Sequence, residues 1–261
     1  MMRRSRALAK IRAGQPVRMC SLGRFSPPFV RWAAHCGFDC IWLDQEHNAM
    51  DLREWQGLLA HFHLYDIDCL FRAPTAEKTP LYRYLEEGAT GLMIPLVSTA
   101  ERARQLVQAV KFPPLGDRGL DGAGMDADFY VNRAAGYVEH ANRETMLVVQ
   151  VETIEAVNNA DQIAAVPGVD GIFIGPGDLG LRLAHAPNCG FDLPGAVARV
   201  AAACQRHGKA WGMPARNTEH LRELTAQGAQ LANHGSDFFA MMNELEAKGR
   251  DWESIVGGAN A

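Results

Sequence analysis

The sequence predicts an α/β protein, a single (β/α)8 barrel of the TIM type spanning residues 1–261, with a loop-helix segment inserted before the fifth strand. Three observations predict it. Eight short apolar runs alternate with helix-period patterns from one end of the chain to the other. Glycine closes five of those helical patterns, at Gly37, Gly88, Gly168, Gly208 and Gly228, where a helix C-terminus favours a residue free to take positive φ. No linker, internal repeat or low-complexity tract divides the chain. An open doubly wound sheet is the competing arrangement, but it usually carries a glycine-rich phosphate loop after its first strand. Gly23-Arg24-Phe25-Ser26-Pro27-Pro28 stands in that place and is not such a loop.

The elements follow in order. Arg3, Arg4, Arg6, Lys10 and Arg12 alternate with Ala and Leu and read as a solvated first helix. Strand one is expected at 17–25, and Pro27-Pro28 opens the helix at 28–36. Strand two, 40–44, ends in Asp44, and helix 52–65 repeats Trp55, Leu58, Leu59 and Phe62 on one face. Strand three, 69–72, precedes a helix at 79–87; strand four, 91–97, precedes one at 99–111. Strand five, 146–152, and strand six, 171–175, flank a helix at 154–166, the βαβ unit of a parallel sheet. Helix 195–207, strand 210–214, helix 219–227, strand 230–233 and helix 237–248 complete the alternation. The inserted segment, 113–144, starts at Pro113-Pro114, passes through Gly116, Gly119, Gly122 and Gly124, and ends in a helical stretch at 127–142. Because it follows a helix it should begin at the rim opposite the strands' C-terminal ends, so packing and catalysis are equally open to it.

Composition excludes several classes. The chain is 48% hydrophobic, 21% charged and −4 in formal charge, an ordinary globular balance without the basic face that nucleic acid requires. No apolar stretch reaches the ~18 residues of a membrane span, and no signal-peptide h-region is visible. Cys20, Cys36, Cys40, Cys69, Cys189 and Cys204 form no Cys-x-x-Cys pair and read as free thiols in a reducing cytoplasm.

In a β/α barrel the chemistry collects where strands end. Those ends here are polar: Asp44-Gln45-Glu46-His47-Asn48, Arg72, Gln150 with Glu152, Gly175-Pro176-Gly177-Asp178, and Asn233-His234-Gly235-Ser236-Asp237. Neighbouring strands lie ~4.8 Å apart, so Glu152 and Asp178 should emerge side by side, where each raises the other's pKa. A divalent cation with oxygen ligands removes that cost. His47, within three residues of Asp44 and Glu46, is placed for general acid/base work, with a carboxylate orienting its ring. Arg72 closes an apolar run, so its guanidinium should stand at the barrel mouth against a carboxylate or an enolate oxygen. Gln150 alternates with Glu152 and should share its face of the strand. Lys10, Lys78, Lys111, Lys209 and Lys248 fall on helices, on termini or at the wrong strand end, which disfavours imine chemistry.

These residues carry a likeness. Trp42-Leu43-Asp44-Gln45-Glu46-His47-Asn48, Arg72-Ala73-Pro74, the run 88–95, Gly116-Asp117-Arg118-Gly119, Val149-Gln150-Val151-Glu152-Thr153 and Gly175-Pro176-Gly177-Asp178-Leu179 together resemble the HpcH/HpaI family of metal-dependent pyruvate aldolases, over roughly 15–245. The resemblance implies a Mg²⁺- or Mn²⁺-dependent (Co²⁺ is the further candidate) retro-aldol cleavage. The substrate is a 4-hydroxy-2-oxo acid, the products an aldehyde and pyruvate or an analogue such as hydroxypyruvate. It also implies metal ligands Glu152 and Asp178, an acid/base pair His47 and Asp44, and an enolate-steadying Arg72. Gln150, Gly175 and Pro176 are implied beside the substrate, and a homohexamer of paired subunits with an exchanged C-terminal helix is implied as the assembly. The segments 121–128 and 233–237 depart from the family pattern. Two other readings stay open: an acyl-CoA or citrate-like lyase of the same superfamily, and a non-catalytic binder of metal and keto acid. Arg118, Arg182 and Arg216 are candidates for a distal substrate carboxylate.

Overall fold

The computed structural model describes residues 2–131 and 136–256. In chain order the elements are α1 (Arg6–Arg12), β1 (Met19–Leu22), α2 (Pro27–His35), β2 (Cys40–Asp44), α3 (Leu52–Leu64), β3 (Asp68–Arg72), α4 (Lys78–Glu86), β4 (Gly91–Ile94), α5 (Ala100–Val110), α6 (Tyr137–Glu144) and β5 (Met146–Val151). They continue with α7 (Ile154–Asn158), α8 (Ala160–Ala164), β6 (Gly171–Ile174), α9 (Pro176–Ala184), α10 (Leu193–His207), β7 (Ala210–Gly212), α11 (Thr218–Ala226), β8 (Asn233–Ser236) and α12 (Asp237–Val256). All strand pairs are parallel, in the order β7-β6-β5-β4-β3-β2-β1-β8. The ring is drawn together between β7 and β8 by a Pro214–Asn233 bridge and by bonds from the Gln230 and Leu231 N–H groups to the Trp211 carbonyl. Glycine makes that approach possible: a Cβ on Gly212 would lie 2.1 Å from the Leu231 carbonyl oxygen. The expected barrel is therefore the observed one.

Period-two alternation sorts the strand residues into two cores. Met19, Cys40, Leu70, Met93, Met146, Val148, Phe173, Ala210 and Leu231 fill the barrel interior. Their chain neighbours Ile41, Leu43, Phe71, Leu92, Leu147, Val149, Ile172 and Trp211 point outward and pack against the helices. Two levels further along the same inward rows, the apolar filling gives way to Asp44, Arg72, Gln150 and Glu152. The polar site is thus the top layer of a packed interior.

The other end of the barrel is sealed by α1. Ala7 and Leu8 are buried in the interior cluster, so this helix is a plug rather than the solvated helix its arginines suggest. Basic residues in and just before it pair with acidic residues around that rim. Arg3 reaches Asp68 at 2.7 Å, Lys10 reaches Asp39 at 2.5 Å and Arg12 reaches Glu144 at 3.3 Å. Asp68 is fully buried and also accepts from Ser5 Oγ (2.7 Å) and the Ala7 N–H (2.8 Å).

Several boundaries differ from the sequence expectation. β1 is shorter, because residues 23–26 turn away to begin α2 at Pro27. β4 stops at Ile94, since Pro95 has no N–H to donate and Leu96 takes φ 56°. β8 lies three residues late, over the polar run Asn233–Ser236, paired with β1 through a register shift and with Gly235 at φ 97°. The helix expected at 154–166 breaks at Asn159 into α7 and α8. The helical stretch expected at 127–142 is a 3-10 turn, Met125–Tyr130, followed by α6, and its middle lies outside the described residues. α9 was not expected at all, and it takes Asp178 from a strand end into the first turn of a helix. The five capping glycines all have positive φ, as anticipated.

Removing the Asp68 carboxylate strands a mostly buried guanidinium and two donors. Asp68→Ala is expected to cost about 3–5 kcal/mol of unfolding free energy, read from urea denaturation; a loss under 1 kcal/mol would show that α1 does not depend on this anchor.

Candidate active site

Arg72 organises the mouth of the barrel. β2 and β3 pair with Asp44 opposite Arg72, so the two side chains leave the sheet on the same face. The guanidinium forms a two-pronged pair with Asp44, Nε to Oδ1 at 2.9 Å and Nη2 to Oδ2 at 2.8 Å. Nη1 lies 2.9 Å from Glu46 Oε2 and 3.4 Å from Gln150 Oε1. Beneath it lies the Trp42 ring, 4.5 Å from the guanidinium carbon. A planar five-donor cation is the side chain that can satisfy all these contacts together. Burial opposes ionisation of Asp44, but the Arg72 hydrogen bonds and charge, with the N–H groups of Glu46 and His47, leave its carboxyl below the usual range.

Gln150 and Glu152 share an inward row, as expected. Gln150 Nε2 donates to Glu152 Oε2 at 2.6 Å, and the Leu96 N–H donates to Oε1 at 2.8 Å. Leu96 delivers that N–H from a left-handed backbone conformation which non-glycine residues seldom adopt, a cost of order 1–3 kcal/mol that buried neighbours must hold in place. Gly175 completes the cradle: a Cβ there would lie 2.4 Å from Glu152 Oε2 and 2.7 Å from Gln150 Nε2. Burial pushes the Glu152 carboxyl up, the Leu96 N–H pulls it down, and the charges of Glu46 and Asp178 push it up again. Asp178, half-exposed in the first turn of α9, is gripped by Arg182 at 2.8 Å; the same Arg182 nitrogen lies 3.3 Å from the Glu152 carbonyl.

The mouth carries surplus negative charge. Asp44, Glu46, Glu152 and Asp178 face the two guanidiniums of Arg72 and Arg182; Arg72 is shared by Asp44 and Glu46, Arg182 pairs with Asp178, and Glu152 has no ion pair of its own. Among the described residues no group of three or more His, Cys, Asp or Glu side chains forms a closed metal cage. Glu152 and Asp178 remain as two carboxylates close enough for the charge of one to act on the other.

The predicted site residues Asp44, Arg72, Gln150 and Glu152 come together, with Asp178 near enough to Glu152 to perturb it. The His47–Asp44 pairing takes a different form. Both oxygens of Asp44 are occupied by Arg72, by the N–H groups of Glu46 and His47 and by Asn48 Nδ2. The His47 ring is 62% exposed, and Glu46 Oε2, at 3.7 Å from Nε2, is the carboxylate beside it. Pro176 begins α9, while Gly175 serves Glu152 by lacking a side chain. Of the three arginines considered for a distal carboxylate, Arg118 is buried against Asp126 and Tyr137 in the inserted segment, Arg182 is committed to Asp178, and Arg216 lines a cavity beside α10 and α11 that reaches Pro176 and Gly177 at the start of α9. The lysines stay away from the mouth: Lys111 bonds to the Asn142 and Thr145 carbonyls and Asp170 below β5 and β6, and Lys209 to the Val169 carbonyl. The sequence reading gave no role to Trp42 or Leu96, and named Glu46 only as a carboxylate near His47. Glu46 sits in the same polar cluster as Asp44, which was a usable signal; Leu96 is visible only through its backbone.

Residues 18–244 match the HpcH/HpaI aldolase/citrate lyase family. A hydroxypyruvate/pyruvate aldolase of Pseudomonas aeruginosa is 35% identical over 254 residues, 97% of this chain and 93% of that protein. A 2-dehydro-3,6-dideoxy-6-sulfogluconate aldolase of Pseudomonas putida is 33% identical over 86% of this chain and 90% of its own. Among solved structures, an HpcH/HpaI aldolase from Desulfitobacterium hafniense superposes with a TM-score of 0.86 at 29% identity, covering 94% of this chain and 95% of that one. With the family matched over most of its length and relatives of 33–35% identity covering nearly all of it, the chain belongs to the HpcH/HpaI aldolase/citrate lyase family.

Proposed function

We propose that the protein is a divalent-metal-dependent aldolase that cleaves a 4-hydroxy-2-oxo acid to pyruvate, or an analogue such as hydroxypyruvate, and an aldehyde, and runs the addition in reverse. The single observation that carries the metal in this reading is the buried carboxylate of Glu152, its pKa raised and no ion pair beside it, with Asp178 near enough to push it up further although Arg182 pairs with Asp178. Hard oxygen donors suit Mg²⁺ or Mn²⁺, with Co²⁺ a further candidate, and water and substrate would complete the coordination. When bound, the cation would act as a Lewis acid on the 2-oxo acid.

The chain's own residues divide the remaining work. Arg72 is fixed by Asp44 and Glu46 before substrate arrives, so its remaining Nη2 hydrogen and its charge meet the developing enolate oxygen without reorganisation. The N–H groups of Gly177 and Asp178 open α9 and have no acceptor within the helix; they suit the substrate carboxylate, with Pro176 setting the turn that aims them. Gln150 holds Glu152 in one orientation. His47 takes the C4 hydroxyl proton, directly or through water, with Glu46 Oε2 3.7 Å from its Nε2.

We also propose a homo-oligomer, a hexamer of paired subunits in which α12 packs on a partner. α12 has no buried residue along its 20 positions, yet it presents Phe239, Met241, Leu245, Trp252 and Ile255 to solvent. Such a surface calls for a partner. A cytoplasmic setting fits the six free cysteines, four of them buried, and no helix among the described residues is long and apolar enough to cross a membrane.

Three outcomes test these readings. Metal-stripped protein should exchange the methyl protons of pyruvate in D₂O only after Mg²⁺, Mn²⁺ or Co²⁺ is added, and Glu152→Gln should lose that exchange; no exchange with any of these metals would overturn the pyruvate reading in favour of an acyl-CoA or citrate-like lyase or a binder. Arg72→Lys keeps the charge but cannot reproduce the fork, and kcat for retro-aldol cleavage should fall on the order of 10²–10³; near-normal turnover would remove Arg72 from the chemistry. Sedimentation velocity should give a hexamer that dissociates in Leu245→Glu/Trp252→Glu, and a monomeric parent would sink the assembly.

A further inference from the structure

We infer that Arg182 competes with the divalent ion for Asp178, so that a cation of the chain itself sets how tightly the metal is held. The inference rests on the reading of Glu152 and Asp178 as metal ligands and deepens it. The donor set fits such an ion, because both residues bring hard carboxylate oxygens to one rim of the barrel, from the end of β5 and the start of α9. The two carboxylates are nonetheless held differently. Glu152 takes its hydrogen bonds from neutral N–H groups, those of the Gln150 amide and the Leu96 backbone. Asp178 is paired with a full positive charge on its own helix.

That pairing is built into α9. Asp178 and Arg182 stand one helical turn apart with the acid on the N-terminal side, the order in which such pairs best support a helix. Arg182 Nη1 lies 2.8 Å from Asp178 Oδ1, and the same nitrogen lies 3.3 Å from the Glu152 carbonyl oxygen. One guanidinium nitrogen thus ties the helix that carries one ligand to the backbone of the other. Neither charged side chain is deeply buried, at 37% exposure for Arg182 and 48% for Asp178, so water solvates both. An ion pair in that setting is individually weak, and the carboxylate can pass from it to a divalent ion of twice the charge.

The sign of the effect does not depend on how Asp178 is divided. Whether it turns from Arg182 to the ion or is shared between them, Arg182 subtracts from metal affinity: either its own bond to Asp178 is lost, or two cations lie against one carboxylate and repel. At Glu152 no cation is bonded, and the neighbouring Arg72 is already engaged by Asp44 and Glu46. Arg182 therefore acts as a positioning residue, through Asp178 and not on the reacting atoms.

Mn²⁺ binding, read from the free-ion signal in electron paramagnetic resonance, tests this without turnover. Arg182→Met keeps an unbranched side chain and removes the charge. At low ionic strength it should bind Mn²⁺ about tenfold more tightly than the parent, the order expected of one half-hydrated unit charge acting on a divalent ion. The difference should shrink to about twofold or less near 1 M KCl, where the screening length is about 3 Å; a packing role for Arg182 has no such salt dependence. Arg182→Lys keeps the charge and should stay close to the parent. Equal or weaker binding by Arg182→Met at low salt, or a difference that persists at high salt, would overturn the competition and leave Arg182 as a support of α9. Glu152→Gln locates the ion, and it should abolish binding in the parent and in Arg182→Met alike. A parent that binds no Mn²⁺, or that binds it equally well as Glu152→Gln, would overturn the metal reading itself.

Discussion

The buried guanidinium of Arg72 is the interaction on which the mouth of this barrel depends. An unpaired cation at that depth would be prohibitive, and removing one partner of such a buried network is far costlier than never having built it. The structure meets the demand with one carboxylate from the end of β2 and one from the loop after it, an amide from β5 and an aromatic face below. Through Gln150 the network continues to Glu152, and through Asn48 it reaches the backbone of Gly23, whose missing Cβ leaves room for the amide. One residue on β3 thereby ties together four sectors of the rim, and the carboxylate pair stands in a position already stiffened by hydrogen bonds. Preorganisation of this kind is what an enzyme needs where charge develops during reaction.

Stability and chemistry are assigned to opposite ends of the same strands, as the β/α barrel architecture favours. At the lower end, α1 inserts apolar side chains into the interior and pairs its basic residues with Asp39, Asp68 and Glu144. At the upper end, charges are left over, Leu96 is held at φ 56°, and Gly175 gives up a side chain so that Glu152 and Gln150 can lie against its backbone. Each upper feature costs folding free energy, and the packed layers of Met19, Leu70, Met93, Val148 and Phe173 beneath supply the compensating burial.

Much of the site was legible in the chain because barrel strands end where their apolar runs end. Asp44, Arg72, Gln150 and Glu152 could be named from that rule, and period two told which of them share a face. Asp178 was named for the right neighbourhood but the wrong element: Gly175-Pro176-Gly177 reads as a turn after a strand, whereas Pro176 starts a helix. The partner of the His47 ring was misjudged for a related reason. Sequence proximity offered Asp44 and Glu46 equally, and only the β2–β3 register, which sets Asp44 opposite Arg72, decides that Glu46 is the one left beside the ring. The first helix was misread because arginine spacing reports charge and not which acidic residues lie below the sheet to receive it.

What the sequence determined by itself is the alternation of eight strands with helices, the glycine caps, the absence of a lysine at any strand's catalytic end, and the short list of polar residues that close apolar runs. These are local properties, written in periodicity and in the backbone freedom of single residues. Tertiary structure alone decided which polar residues meet: that Arg72 grips Asp44 and Glu46, that Leu96 turns its N–H onto Glu152, and that Ser21, Asn48 and Ser236 gather around one cavity although more than 200 positions separate the first from the last. The reason is closure. Bending eight strands into a ring brings β1 against β8 and sets β5 across from β1, and no pattern within a strand carries the distance to a residue on another.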